Sequence, residues 1–319
     1  MIIMIKISVI IPVYNTEKYI EKCLRSLANQ TTQDFEVVIV NDGSTDDSKL
    51  VIQKCIRDKI INNLIYLEKE NGGLSDARNY GVQHANGKYI IFLDSDDYID
   101  SNLFSEFEEY IDQNIDLIKF KMKTVDINGK ILEKKDGPIF GKCTGIEAFE
   151  KLVTKDPFLE VACVYLYRRE FFLNKGFEYE YGLYHEDFGL TPFVIVCAKS
   201  VVSLKIFGYN YLQSENSIMR NSDYSKEVKK ANDAIKHYDN ALFNLKKFGI
   251  DKRTSRLILR YYTNTILIKA ETLKNKEFEE YIKELKSRKL YKNINSSNIK
   301  QIFKRIILFI NIKLYIKMR

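Results

Sequence analysis

The sequence predicts an α/β protein, a sheet flanked by helices, with a helical region at its C-terminal end. Three observations predict it. Four short apolar runs of β-formers, Lys6–Val13, Phe35–Val40, Leu64–Leu67 and Tyr89–Leu93, alternate with helix-patterned segments inside the first hundred residues. The last run leads directly into three acids, Asp94, Asp96 and Asp97. After about Ser222 the composition shifts to Lys, Asn, Ile, Leu and Tyr at helical spacing, with few turn signals.

The first strand, Lys6–Val13, ends near Pro12, which cannot donate a ladder hydrogen bond. Asn15 or Thr16 can cap a helix beginning near Glu17 and carrying Ile20, Leu24 and Leu27. Phe35–Val40 runs into Asn41-Asp42-Gly43, and Ser44 or Thr45 is a cap candidate for the next helix. Leu64–Leu67 leads to Gly72-Gly73, a backbone that can approach a ligand closely. Ser75 or Asp76 then opens a helix carrying Arg78 in its first turns. Tyr89–Leu93 completes β-α-β-α-β-α-β, the alternation of a parallel sheet with right-handed crossovers. Such sheets gather their loops at the carboxyl ends of the strands, so Asp42, the Gly72–Arg78 loop and Asp94–Asp96 should converge in one crevice.

Further along, a helix carries Leu103, Phe104, Phe107 and Tyr110; Asp116–Met122 and Val201–Phe207 read as strands, and Asn128-Gly129-Lys130 as a hairpin turn. Ser225–Lys247, Lys252–Lys274 and Phe278–Arg288 read as three helices. Within Asn298–Arg319, which has no acid, Ile299, Phe303, Ile306, Ile307, Ile310 and Leu314 fall on one helical face. Two readings stand for that face: contact with an anionic membrane, or packing on the helical region. The expected division is residues 1–222, with a nucleotide half to about 100 and an acceptor half beyond, and residues 223–319.

At 319 residues, 45% of them hydrophobic, the chain can bury a large core. Five scattered cysteines, without a CxxC, read as reduced thiols of a cytosolic protein. Met1–Ile5 is too short for a signal peptide, and no run reaches the ~18 apolar residues of a membrane span. The net charge of +7 concentrates in the tail, without stacking aromatics interleaved along a groove, so a nucleic-acid partner is not expected.

The acids define the chemistry. Two like charges ~4 Å apart repel by roughly 1 kcal/mol in water and about 4 kcal/mol near a protein surface. Asp94-Ser95-Asp96 at a strand end therefore suits a hard divalent cation, Mg²⁺ or Mn²⁺, shared with substrate phosphates; a solvated acidic turn is the plainer alternative. Asp42 can accept from an imide N–H or a ribose hydroxyl, or can form the turn at Asn41-Asp42-Gly43. Pro12–Tyr14 offers an apolar surface to a base, and Arg78 a fixed cation to a phosphate or to a surface partner. The chain lacks Gly-x-Gly-x-x-Gly after its first strand and has no P-loop lysine, which excludes dinucleotide dehydrogenases and P-loop NTPases. Farther on, Glu186 and Asp187 stand together before an apolar helix, with His185 beside them.

Four blocks, Val9–Asn15, Val40–Asp46, Asn71–Asn79 and Phe92–Asp97, resemble in order and spacing the signatures of the inverting family 2 glycosyltransferases, which have the GT-A fold, a mixed Rossmann-like sheet flanked by helices, and use nucleotide-diphosphate sugars. The resemblance implies a donor site of Pro12, Val13, Tyr14, Glu17, Asp42, Gly72, Ala77, Arg78, Asp94 and Ser95. Asp96, with Asp94, would hold Mn²⁺ or Mg²⁺. Asp187 would be the catalytic base with Glu186 supporting it, and His185 a second candidate base or a wall residue. A family Arg near the segment Tyr209–Arg220 is replaced by Gln213, leaving Gln213, Ser217 or Arg220 for that part. The implied activity moves a hexose or N-acetylhexosamine from a UDP-sugar to a glycan or lipid-linked acceptor, in bacterial surface or capsular polysaccharide synthesis, on the inner face of the plasma membrane. A sugar nucleotidyltransferase, or an inactive nucleotide-sugar or glycan-binding module, is the alternative.

Overall fold

The computed structural model describes residues 5–157, 159–213, 223–294 and 299–317. The chain divides into two compact units, Met1–Gly182 with Leu190–Glu215, and Leu183–Gly189 with Asn216–Arg319.

The first unit is built on one ten-stranded sheet. Strands β1 (Ile7–Val13), β2 (Phe35–Asp42), β3 (Leu64–Lys69) and β4 (Tyr89–Phe92) form its parallel half, in the order β3-β2-β1-β4. Ile7 stands opposite both Phe35 and Tyr89. Every residue of β1, β2 and β4 is buried, which is why these strands read as apolar runs rather than alternating patterns. Between them run α1 (Ile20–Ala28), α2 (Ser48–Arg57) and α3 (Leu74–His84).

The sheet continues as β9 (Tyr165–Arg168), β6 (Leu117–Val125), β10 (Val201–Leu212) and β5 (Tyr98–Ile99), with β7 (Ile131–Lys134) on β6 and β8 (Phe140–Cys143) on β10. β9 is antiparallel to both its neighbours, so the sheet is mixed, as expected of the fold. The turn between β6 and β7 contains Asn128-Gly129-Lys130, and Gly129 takes φ +82° there. Helices α4 (Glu108–Asp112), α5 (Gly145–Leu152) and α6 (Arg169–Asn174) connect these strands, and α7 (Glu186–Cys197) precedes β10. The stretch expected to be one helix from Ser101 is a turn, a 3₁₀ segment at Ser105–Phe107 and the short α4.

The expected helix caps are not made. Asn15, at φ +54°, accepts the N–H groups of Thr45 (2.8 Å) and Asp46 (3.3 Å), while the Thr16 N–H donates to Ser48 Oγ (2.8 Å). α1 therefore starts three residues later than Glu17, without a side-chain cap, because these groups bind the neighbouring loop. Likewise α2 starts after Asp47, not at Ser44 or Thr45. β10 runs five residues past Phe207 because Leu212 N–H donates to Asp97 Oδ1 (2.7 Å) and Asn210 to Asp100 Oδ1 (2.8 Å).

The second unit is helical: α8 (Tyr224–Lys247), α9 (Lys252–Lys269), α10 (Asn275–Ser287), α11 (Ile299–Ile310) and α12 (Ile312–Lys317). Asp223 and Asp251 cap α8 and α9 through N–H groups of their first turns. Two features of the last helices differ from the sequence pattern. The helix breaks at Asn311, and its exposed apolar face runs through Ile302, Phe303, Ile306, Phe309 and Ile310, with Ile307 half-buried and Leu308 buried. No described helix is long and apolar enough to cross a membrane.

Candidate functional site

The parallel half of the sheet brings the loops after β1, β2 and β3 and the acids after β4 to one end of the first unit. Two of these loops are tied together. Glu17 Oε2 accepts the Asp47 N–H (2.9 Å), and the Glu17 N–H donates to Asp46 Oδ2 (3.0 Å). Pro12 and Val13 are buried within β1, so of the expected apolar surface only Tyr14, 51% exposed, opens to solvent. Ala77 and Ser95 are buried as well.

Asp42 ends β2 at 2% exposure. Its Oδ1 accepts from Lys69 Nζ (2.7 Å) and the Gly72 N–H (2.9 Å), and its Oδ2 from the Gly73 N–H (2.7 Å). Lys69 also pairs with Asp76. The carboxylate fixes the Gly72-Gly73 turn, and Asn41, not Asp42, accepts the Ser44 N–H of the local turn (3.1 Å). Glycine is required at 73, where φ is +87°.

Arg78 is 3% exposed, lies beside the rings of Phe92 and Tyr179, and donates from Nη2 to Asp94 Oδ1 (2.9 Å). It balances the first acid of the Asp94-Ser95-Asp96 turn. Asp94 Oδ2 accepts from Cys163 Sγ (3.3 Å); burial pushes that thiol far up, keeping it a donor. Asp97 is buried, receives Tyr209 Oη–H (2.7 Å) at Oδ2, and is raised by its burial and by its acidic neighbours. Tyr209 Oη also accepts the Asp94 N–H (3.2 Å). Asp96 is the most exposed of the three acids and has no side-chain partner of its own among the described residues, while Asp94 stays partly open. The protein packed around it and then the charge of Asp94 raise it to about 6.

Among the described residues no group of three or more His, Cys, Asp or Glu side chains is disposed to hold a metal ion. Asp96 with Asp94 supplies two hard carboxylates, a donor set that fits Mg²⁺ or Mn²⁺ only when substrate oxygens and water complete the shell. Cys163 and Tyr209, which shape this turn, carried no site signal in the sequence beyond being a buried thiol and part of the segment after the acid pair.

Glu186 and Asp187 lie in the second unit, in the first turn of α7. There the segment is held by α8 and α9. The Tyr184 N–H donates to Asp233 Oδ2 (3.1 Å), the Tyr184 carbonyl meets His237 Nε2 (2.9 Å), and Tyr262 Oη–H donates to the Phe188 carbonyl (2.7 Å). Asp187 Oδ1 accepts the Phe188 N–H (2.8 Å). His185 Nε2 lies 3.3 Å from Lys269 Nζ, and burial and then the Lys269 charge lower its pKa to about 4. These surroundings favour the neutral imidazole. Gln213 follows β10 and donates its N–H to the Val125 carbonyl (2.8 Å); Ser217 and Arg220 lie outside the described residues.

A family model described as glycosyl transferase family 2 matches residues 8–172. The chain belongs to glycosyl transferase family 2. Glycosyltransferase GlyA of Streptococcus pneumoniae serotype 4 is 44% identical to it over 109 residues, 33% of this chain and 15% of that one. The uncharacterized glycosyltransferase EpsJ of Bacillus subtilis is 31% identical over 219 residues, 66% of this chain and 62% of that one. The family 2 chain thus spans less than two thirds of the length of either relative. The crystal structure of S. aureus TarS 1-349 in complex with UDP-GlcNAc matches it with a TM-score of 0.69 at 20% identity, covering 98% of this chain and 88% of that one. The likeness is one of fold, and the fold is GT-A.

Proposed function

We propose that this family 2 protein transfers a hexose or N-acetylhexosamine from a UDP-sugar to a hydroxyl of a glycan acceptor, with inversion at the anomeric carbon. The observation that carries the reading is the acid turn at the end of β4. One carboxylate, Asp94, is held by Arg78 and Cys163, and the other, Asp96, is left open. Asp96 and Asp94 are the residues that would hold Mn²⁺ or Mg²⁺, which supplies charge stabilisation to a departing diphosphate. Tyr14 presents the exposed ring beside which a base can lie. Asp42 and Lys69 keep the Gly72-Gly73 backbone in place at the donor end of the sheet. Asp187 takes the proton of the acceptor hydroxyl, and Glu186 supports it. That the matched TarS structure holds UDP-GlcNAc supports a UDP-linked donor. A lipid-linked acceptor of a bacterial surface polysaccharide, met by an enzyme peripheral on the inner face of the plasma membrane, completes the reading, and the basic, apolar C-terminal helices support it.

The test is UDP release from UDP-Glc, UDP-Gal, UDP-GlcNAc and UDP-GalNAc in the presence of Mn²⁺ or Mg²⁺. Turnover of one of the four, abolished by EDTA, is expected. Failure to bind or turn over any UDP-sugar, with the protein folded, overturns the reading.

A further inference from the structure

The end of the helical unit carries a charge asymmetry that the whole-chain value conceals. From Leu285 to Arg319 there are ten Lys or Arg and no Asp or Glu. With 50 basic and 43 acidic residues in all, the preceding 284 residues carry a net −3. The basic segment encloses a groove of about 350 Å³ between the end of α10 and helices α11 and α12. Its floor is apolar, with Leu285, Leu290, Leu308 and Ile312 all buried. Its rim carries the exposed side chains of Lys286 and Lys289. On the other rim stand Phe309 and Ile310, 64% and 74% exposed, continuous with exposed Ile302, Phe303 and Ile306. Phe309 packs edge-on against Tyr291 at 4.8 Å.

We infer that this groove and its apolar rim form a docking surface for the phosphate-bearing leaflet of an anionic lipid bilayer. Lys286 and Lys289 would meet headgroup phosphates, and Phe303, Phe309 and Ile310 would enter the acyl boundary. Two properties select that occupant. A row of exposed Phe and Ile is costly in water and suited to the headgroup–acyl boundary. A segment with cations and no acids is complementary to anionic lipid, each cation near such a surface contributing on the order of 1 kcal/mol; a second copy of the same face would set cations against cations. Arg288 and Lys313 are already paired, with Asp239 and Glu279, whereas Lys286 and Lys289 stand exposed on the groove rim. The inference deepens the membrane contact proposed above, and its readout is binding rather than turnover, so either can fail without the other.

The test is flotation of the full chain with phosphatidylglycerol-rich and with pure phosphatidylcholine vesicles, at low and high salt. Binding to the anionic vesicles only, weakened by salt, is expected. K286Q/K289Q should lower the partition by roughly fivefold for each lysine removed, and F309S/I310S should abolish it. All four positions are exposed, and unchanged helicity and melting confirm that the variants fold. Equal binding to both vesicle types, or wild-type binding by both double variants, overturns the inference. So does a self-association that F309S/I310S abolishes in a chain that ignores vesicles, since the face would then join two copies.

Discussion

Arg78 Nη2 lies 2.9 Å from Asp94 Oδ1, and this pairing sets the two acids of the turn apart: one balanced, one open. A buried guanidinium beside two aromatic rings is not replaceable by lysine, whose ammonium lacks the planar fork. R78M should leave Asp94 without its counter-charge next to Asp96, with the Cys163 thiol still donating to it. The expected loss is about 2 kcal/mol by urea unfolding, below the roughly 3–5 kcal/mol of a fully buried pair because Asp94 stays partly open. R78M/D94N should recover part of it, and the cycle isolates the pair. Additive single-variant losses would show that the two side chains are not coupled.

The open member of the pair makes a separate prediction. D96A should abolish Mn²⁺ binding by calorimetry and UDP release together with no loss of stability, because the carboxylate holds up no neighbour and its raised pKa marks a charge that the fold disfavours. D187N should keep donor binding and lose ~10²–10⁴-fold in turnover, the usual share of a general base. Wild-type turnover in D187N would remove Asp187 from the chemistry.

Asp42 makes a loop prediction. In D42A the Gly72 and Gly73 N–H groups lose their acceptor, and Lys69 keeps Asp76 and the Glu70 carbonyl. Both donors are only part-buried, so water replaces part of what they lose, and stability should fall by about 1–3 kcal/mol, with hydrogen exchange speeding up across residues 70–76. G73A should cost about 1–2 kcal/mol through its left-handed backbone alone. Unaltered exchange in D42A would show that the carboxylate does not hold the turn.

How much of this was readable in the sequence depends on how local the cause is. The strands β1, β2 and β4 are buried on both faces, so their apolar runs are their own signal. The caps of α1 and α2 were misread because Asn15, Thr16 and Glu17 bond to residues about thirty positions away, and spacing cannot express that. Arg78 was identified but its partner was not, since only the fold brings α3 against the end of β4. Asp233 and His237, which hold the Tyr184 segment, look like ordinary members of a helical pattern. The box at Thr144 and Glu147 that caps α5 is a local Thr-x-x-Glu pattern, yet it was overlooked in the sequence.

His185 should not titrate in the neutral range. Its folded pKa, lowered to about 4 by burial and then by Lys269 and Lys230, lies below its ordinary 6.5. The unfolded chain therefore binds the proton more tightly. The group's contribution to stability is complete above about 6.5 and is lost as pH falls through the window down to about 4. NMR of the ring protons should show no titration above about pH 5, and K269M should move the midpoint upward. The pH profile of turnover should be unchanged in H185Q. A ring titrating near 6.5 would show that Lys269 does not face it.

Lys119 and Asp156 make the last prediction, on stability. They are 1% and 2% exposed, with Nζ 3.4 Å from Oδ2, and buried Lys121 lies on the same face of β6. Burial pushes Lys119 down to about 8 from 10.5, although Asp156 pulls the other way, and burial lowers Lys121 too. The unfolded chain then holds more protons between about 8 and 10.5, so this pair should make the protein more stable as pH rises through that window. D156N removes the counter-charge from a lysine that cannot reach water. It should cost about 3–5 kcal/mol at pH 7 and start the rise at lower pH. K119M/D156L, which removes both charges, should be near neutral at pH 7 and flatten the rise to the part that Lys121 supplies. Urea midpoints measured from pH 7 to 10 check all three, and a wild-type curve that falls across that range would contradict a lysine destabilised by its burial.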